Sequence, residues 1–205
     1  MTESYVQLPP DSTGKKLHTR QRVIGANTVQ EEATWRPGRE TWYAYADAVA
    51  FVANKHHISI FNASGSGKII RVVKLFAINL QSAAVTGIID RFDFKKITAS
   101  SAGTTITAEA ADTNNAALPA QVTIRTNGTI TEGNVLFPWL ASSEEETAVV
   151  GLSRSMFQQW SNIIPEGEEI QEPTAREGQG FTMKQITSST IGSFGWLMVF
   201  TVADD

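Results

Sequence analysis

Cysteine is absent from the 205 residues, and long apolar runs are absent as well. The first absence excludes disulfide-stapled scaffolds, thiolate zinc sites and cysteine nucleophiles. The second matters because a membrane-spanning helix needs about 18 consecutive apolar residues. The opening stretch MTESYVQLPPDSTGKK also lacks the apolar segment of a signal peptide. We therefore expect a protein made in the cytoplasm of its host, with no membrane partner.

Basic charge is in short supply. Lysine and arginine total 17 against 21 aspartate and glutamate, which gives a net charge of −4 and a pI near 5.4. Because an acidic surface repels a phosphate backbone, we expect no nucleic-acid partner. The one basic cluster, GKKLHTRQR at residues 14–22, is typical of a solvated, flexible arm.

The sequence also has no histidine or carboxylate residues at the spacing that a catalytic or metal site requires. His56 and His57 are adjacent, so in a strand they point to opposite faces and do not bind one ion together. Asp90 and Asp93 flank Arg91, which favours cross-strand ion pairs over an acid/base pair. The sequence predicts no catalytic residue, no metal and no cofactor, and we expect a protein that is not an enzyme.

The stretch FNASGSGKIIRV, residues 61–72, looks at first like a phosphate-binding loop. A Walker loop needs a glycine five residues before the Gly-Lys pair and a serine or threonine after it. These two positions hold Asn62 and Ile69, and Lys68 begins a β-branched run rather than a helix. The stretch predicts a tight turn between two strands, with glycines supplying positive φ, and no nucleotide.

From residue 41 onwards the sequence has the pattern of β-strands. The clearest alternation is GSFGWLMVFTV, in which five large side chains recur at every second residue: Phe194, Trp196, Met198, Phe200 and Val202. Leu197 and Val199 are apolar on the other face, which predicts a central strand buried on both sides.

Glycine, asparagine, proline and serine separate the strand-like runs, and little room is left for helices. This favours antiparallel pairing in a β-sandwich, jelly-roll-like, with a body at residues 41–205. At most one short helix is predicted, in residues 142–160. Its signals are a capping box and helical spacing: Ser143 with Glu146, then Val149, Leu152, Met156 and Trp160.

Residues 1–40 differ in composition from the body, because proline, glycine and charges are mixed there without a sustained period. We expect an extended N-terminal arm that is ordered by the surface it lies on. The apolar residues predicted to make that contact with neighbouring subunits are Val6, Leu8, Val23, Ile24 and Trp35.

Three segments resemble those of a known class of protein. They are YVQLPPDSTGKKLHT (residues 5–19), ISIFNASGSGKIIRV (residues 58–72) and a C-terminal segment made of IPEGEEIQ (residues 164–171) and EGQGFTMKQITSSTIGSFGWLMVFTV (residues 177–202). They are similar to segments of small β-sandwich virion proteins of tailed bacteriophages, in which the middle one forms a central hairpin. This group comprises capsid decoration (cement) proteins and related head or tail accessory proteins.

The resemblance implies a structural virion protein that decorates or stabilises the capsid. Its partners would be the major capsid protein or other virion proteins, and its own copies, which we expect to form a trimer. The alternative is a tail, neck or fibre component, including a receptor-binding β-sandwich module. Such a module needs exposed aromatic residues beside polar ones, and only TWRPGRETWY (residues 34–43) and FPWLASSEEE (residues 137–146) offer them.

Overall fold

The structure is a computed structural model. The chain divides into two units, residues 1–39 and residues 40–205. The residues that the structure describes are 3–7, 16–24, 27–32, 40–79, 88–143, 156–159, 172–187 and 192–204. All of the regular structure in these ranges is β-strand, and no helix that could span a membrane is found there.

The first unit contains a three-stranded antiparallel sheet. Its strands are β1 (Glu3–Gln7), β2 (Lys16–Ile24) and β3 (Asn27–Glu32). The strand β2 lies in the middle, with Glu3 opposite Arg20 on one side and Asn27 opposite Ile24 on the other. The backbone of this unit thus forms sheet hydrogen bonds between its own strands.

The described residues of the second unit form twelve strands. They are β4 (Glu40–Ala50), β5 (His56–Asn62), β6 (Lys68–Asn79), β7 (Ile88–Ser101), β8 (Thr104–Ile106), β9 (Ala108–Ala110), β10 (Val122–Thr126), β11 (Thr129–Ser143), β12 (Met156–Gln159), β13 (Thr174–Ala175), β14 (Gln179–Gln185) and β15 (Ser193–Asp204).

These strands form two antiparallel sheets packed against each other. The first, which we call sheet I, has the order β11-β7-β14-β5-β10-β8, and the second, sheet II, has the order β12-β6-β15-β4-β9 with β13 also pairing with β6. All pairs within both sheets are antiparallel. The prediction of an antiparallel β-sandwich is confirmed.

The core lies between the sheets and is rich in aromatic rings. Phe94 stacks on Phe181 within sheet I, with ring centroids 5.4 Å apart. Phe92 meets Trp196 of sheet II edge to face, also at 5.4 Å, the arrangement that ring quadrupoles favour. Trp196 and Phe92 are fully buried, and their contact joins the two sheets.

The strand β15 is central, as its alternation predicts. It pairs with β4 on one side and with β6 on the other. The five alternating residues from Phe194 to Val202 are all buried in the core. Val199 is also buried although it belongs to the opposite face, and Leu197 beside it is half-buried.

The prediction of a helix in residues 142–160 is wrong for its described C-terminal part. Met156–Gln159 is a strand, β12, which pairs antiparallel with residues 74–77 of β6. The backbone groups at the edge of sheet II offer these residues hydrogen bonds that a short helix would have to supply internally, and this tertiary pairing overrides the local pattern. Residues 144–155 lie outside the described part of the chain.

Candidate functional site

The predicted contact residues of the N-terminal unit occupy different places in its sheet. Val6 lies in β1, and Val23 and Ile24 end β2. Leu8 and Trp35 lie outside the described residues. In the register of the sheet, Val6 pairs near the start of β2, so the backbone does not bring it beside Val23 and Ile24. Their role in binding neighbouring subunits stays a prediction.

The glycine loop forms the predicted tight turn. Gly65 has φ 85° and Gly67 has φ 62°, the left-handed conformation that glycine adopts without a steric cost. The turn joins β5 to β6, which belong to different sheets. It is therefore a link across the sandwich, whereas the resemblance implies a hairpin.

The loop does bind an anionic group, but the group belongs to the chain itself. The N–H of Gly67 donates to Oε1 of Glu177 at 2.7 Å. Hydrogen bonds from the backbone of Gly67 and Gly65 lower the pKa of this carboxyl. Successive amides that converge on one anion are the mark of a backbone nest. Glu177 thus accepts hydrogen bonds from the loop backbone within the chain itself.

The two adjacent histidines lie on opposite sides of sheet I, as expected for neighbours in a strand. The pairing of β5 with β14 is irregular at this point, because Lys184 lies opposite His56 and Met183 opposite Ile58, which leaves His57 as a bulged residue. The ring of His56 lies on the outer face of the sheet, and that of His57 lies in the core against Trp196.

On the outer face, His56 belongs to an ion cluster around Glu132. Lys95 and Lys184 both bind this carboxylate, Lys184 at 2.6 Å, and Nε2 of His56 lies 3.4 Å from it. Burial raises the pKa of Glu132, but the hydrogen bonds and charges of Lys184 and Lys95 outweigh it and hold the pKa at about 2. Burial lowers the pKa of His56, against the smaller opposing effect of Glu132. Both ammonium groups of the cluster therefore share one carboxylate within the molecule.

Inside the sandwich, His57 has a fixed tautomer. The Nε1–H of Trp196 donates to Nδ1 of His57 at 3.0 Å, so Nδ1 carries no proton. The proton is consequently on Nε2, which donates to Oε1 of Gln185 at 3.0 Å. Burial lowers the pKa of His57 to about 4. The imidazole is neutral, and it links β5 to Trp196 of sheet II by one hydrogen bond and to Gln185 of its own sheet by the other.

The hydrogen-bonded chain continues to a buried carboxyl. Nε2 of Gln185 reaches Oδ1 of Asp90 at 3.5 Å, and the hydroxyl of Thr187 donates to the same oxygen at 2.6 Å. Burial raises the pKa of Asp90, and the Thr187 bond lowers it by a smaller amount. Oδ2 of Asp90 has no hydrogen-bond partner among the residues that the structure describes. The sequence signal for this hydrogen-bonded network was Asp90. It is the single polar residue on a strand face that otherwise carries Ile88, Phe92 and Phe94.

The ion pairs predicted around Arg91 differ from those observed. Arg91 donates from Nε to Oδ1 of Asp93 at 2.9 Å and from NH2 to Oδ2 at 3.3 Å, within one strand. Asp90 points instead into the core. The prediction of cross-strand pairs is therefore wrong, because residues two apart on one strand share a face and the guanidinium reaches the nearer carboxylate.

The outer face of sheet II has a different character. Along β4, Tyr43 and Tyr45 alternate with buried alanines and are 42% and 45% exposed. They lie opposite Val199 and Leu197 of β15. We call these four residues the outer apolar patch. Such a patch on a solvent-facing sheet is the kind of surface that contacts other molecules.

Opposite charges lie on the two flanks of the outer apolar patch. Lys74 of β6 lies opposite Val199, and Glu109 of β9 lies opposite Tyr43. Neither charge forms an ion pair or a hydrogen bond with any residue in the described part of the chain, and Glu109 is exposed. Sequence reasoning missed this arrangement, because it depends on which strands are neighbours.

The aromatic residues expected in a receptor-binding loop are used mainly for packing. Trp42 is buried in the core, and Trp139 packs against it with its ring 6.2 Å from that of Trp196. Tyr43 is the exposed aromatic of the first segment, whose Trp35 lies outside the described residues. Residues 144–146 of the second segment also lie outside them.

No group of three or more histidine, aspartate or glutamate side chains is placed to hold a metal ion within the described ranges. Comparison of the chain with protein-family models, with curated proteins and with solved structures found no match in any of the three. The candidate binding features described above are the N-terminal unit, the ion cluster of sheet I and the outer apolar patch of sheet II.

Proposed function

We propose that this chain is a structural virion protein of a tailed bacteriophage, which decorates and stabilises the capsid. The observation that carries the proposal is the division of the chain into a β-sandwich and a separate N-terminal unit with its own sheet. A rigid body with an additional small unit is suited to binding two surfaces at once, which raises affinity through effective concentration. The resemblance of three segments to phage virion proteins supports the same assignment.

The N-terminal unit makes the contact with the capsid or with a neighbouring virion subunit. Its apolar residues Val6, Val23 and Ile24 lie on two strands of a small sheet. A sheet of three short strands is near the lower limit of independent stability, so a partner surface would stabilise it. Catalysis has no part in this role.

The copy number of the chain per purified phage particle tests the proposal. We expect hundreds of copies, because decoration proteins occupy every equivalent position of the capsid lattice. About six or twelve copies would instead assign the chain to the tail or neck, which is the second candidate. Absence from the particle would contradict both assignments.

Substitution of the N-terminal unit tests how the chain attaches. Val23→Asp in the full chain should abolish rebinding to particles that lack the protein, because it places a charge in the apolar contact. Gln121→Asp, at an exposed position of the sandwich, is the matched control with the same added charge. Equal binding by both variants would show that this strand does not make the contact. Circular dichroism of each variant verifies that the body remains folded.

A further inference from the structure

The outer apolar patch and its flanking charges form one ordered row across sheet II. Along the hydrogen-bonding direction, Lys74 of β6 lies opposite Val199 of β15. Val199 lies opposite Tyr43 of β4 on its other side, and Tyr43 lies opposite Glu109 of β9. The central position belongs to β15, with the cation on one side of it and the anion on the other. Tyr45 and Leu197 form a second, apolar pair in the neighbouring row.

This arrangement is complementary to itself. A two-fold rotation about an axis parallel to β15 in the plane of the interface places β15 of one copy on β15 of the second. The same rotation places β6 of one copy over β4 of the other, so Lys74 meets the side of the sheet that carries Tyr43 and Glu109. We propose that the outer face of sheet II binds a second copy of this chain, face to face about such an axis.

Lys74 and Glu109 each gain a partner of opposite charge in this arrangement, and each contact occurs twice because of the symmetry. Facing sheets lie about 10 Å apart, which the extended side chains of lysine and glutamate on opposing faces span. Tyr43 adds a ring face near the ammonium group of Lys74 of the second copy, a favourable cation–π contact. The exposed rings of Tyr43 and Tyr45 are removed from water at the same time.

A second copy fits this face better than a partner with charge of one sign. A basic surface would be repelled by Lys74, and an acidic surface would be repelled by Glu109, because like charges brought together oppose binding. Only a partner with both signs in the reverse order satisfies the two flanks, and the chain itself has this order. The trimer expected from the resemblance is a different assembly, and the proposed contact holds whether or not the chain is a virion protein.

Charge reversal in the full chain tests the proposal by sedimentation equilibrium over a range of concentrations. Lys74→Glu and Glu109→Lys should each raise the dissociation constant of the dimer by about tenfold or more, because each brings like charges together. The double variant should return to within about threefold of the unchanged chain, since the pairs are restored in reverse. An equimolar mixture of the two single variants should recover as well, because both pairs are then of opposite sign.

Lys96→Glu is the matched control, since it makes the same change of charge at an exposed position of sheet I and should leave the dimer unchanged. Thermal unfolding of each variant verifies the fold. The proposal is overturned if the unchanged chain is monomeric throughout, if it forms trimers that the single variants do not weaken, or if the folded double variant fails to recover. It is also overturned if the single variants keep their self-association and instead lose binding to particles.

Discussion

The two outer faces of the sandwich differ in whether their charged side chains have partners within the molecule. On sheet I, Lys95 and Lys184 converge on Glu132, and Arg91 binds Asp93. On sheet II, Lys74 and Glu109 are separated by the outer apolar patch and find no partner in the described part of the chain. These charges of the first face pair within one molecule, whereas Lys74 and Glu109 of the second have no partner among the described residues.

This difference separates stability from association. A charge that already has an intramolecular partner contributes to the free energy of unfolding, and its removal leaves the partner unsatisfied. A charge without one contributes little to folding and is available to another molecule. Substitutions in sheet I should therefore change stability, and substitutions on the outer face of sheet II should change assembly.

The largest expected loss comes from the polar chain on the inner side of sheet I. His57→Phe leaves the N–H of Trp196 without an acceptor in the core and removes the donor to Gln185. We expect the free energy of unfolding to fall by about 3 kcal/mol in urea titrations at pH 7. His56→Gln, on the outer face, is the neighbouring control and should cost clearly less.

The same substitution should change the pH dependence of stability. The pKa of His57 lies at about 4 in the folded protein and at 6.5 in the unfolded chain, so the unfolded state binds the proton first. Stability is therefore complete above pH 6.5 and falls as the pH drops towards 4. In His57→Phe this contribution should be missing, and an unchanged slope between pH 6.5 and 4 would contradict the buried, neutral imidazole.

A smaller loss is expected from Glu132→Gln, which leaves Lys95 and Lys184 without their shared counter-charge. We expect about 1–2 kcal/mol at pH 7, reduced from the full pKa shift because the site is partly screened by solvent. The folded pKa of about 2 lies below the unfolded value of 4.5, so this stability is present above pH 4.5 and is lost as the pH falls towards 2. Urea titrations at several pH values should show that the free energies of unfolding of the unchanged protein and of Glu132→Gln approach each other as the pH falls.

On sheet II, Lys74→Glu should change the free energy of unfolding by less than about 0.5 kcal/mol at concentrations where the chain is monomeric. The reason is that Lys74 has no ion pair with any residue that the structure describes. Thermal unfolding in dilute solution measures this directly. A loss as large as that of Glu132→Gln would remove the distinction between the two faces.

The smallest effect is expected at the glycine loop. Glu177→Ala removes the carboxylate that the amide of Gly67 binds, so that amide should exchange its proton with solvent faster. Glu177→Gln retains one acceptor oxygen, so its exchange rate at Gly67 should lie between those of the unchanged protein and of Glu177→Ala. Hydrogen exchange followed by NMR resolves this residue, and exchange that is equal in all three proteins would show that the nest is not held by Glu177.

Local patterns predicted the strands well, because a period of two depends only on burial of one face. The segment around Trp196 could be placed in the centre of a sheet from its two apolar faces alone. The turn at Gly65 and Gly67 was equally accessible, since missing motif residues and a following β-branched run leave few other structures. The strand Met156–Gln159 could not be predicted in this way, because its hydrogen-bond partners lie in β6, some 80 positions earlier in the chain.

The candidate surfaces depended even more on strand order. Tyr43 and Val199 are far apart in sequence, and nothing in either local pattern indicates that they are neighbours. The bulge at His57 likewise follows from the pairing of β5 with β14. Only His57 beside His56, and Asp90 among apolar neighbours, signalled that polar groups enter the core.

The position of β15 has a consequence for synthesis on the ribosome. The two strands that it joins, β4 and β6, are made long before residues 193–204 emerge, yet neither reaches its central partner until then. Sheet II therefore closes after translation of its earlier strands, and the nascent chain carries open strand edges during this interval. A polypeptide that stops short of Ser193 would expose those edges to chaperones and proteases instead of maturing.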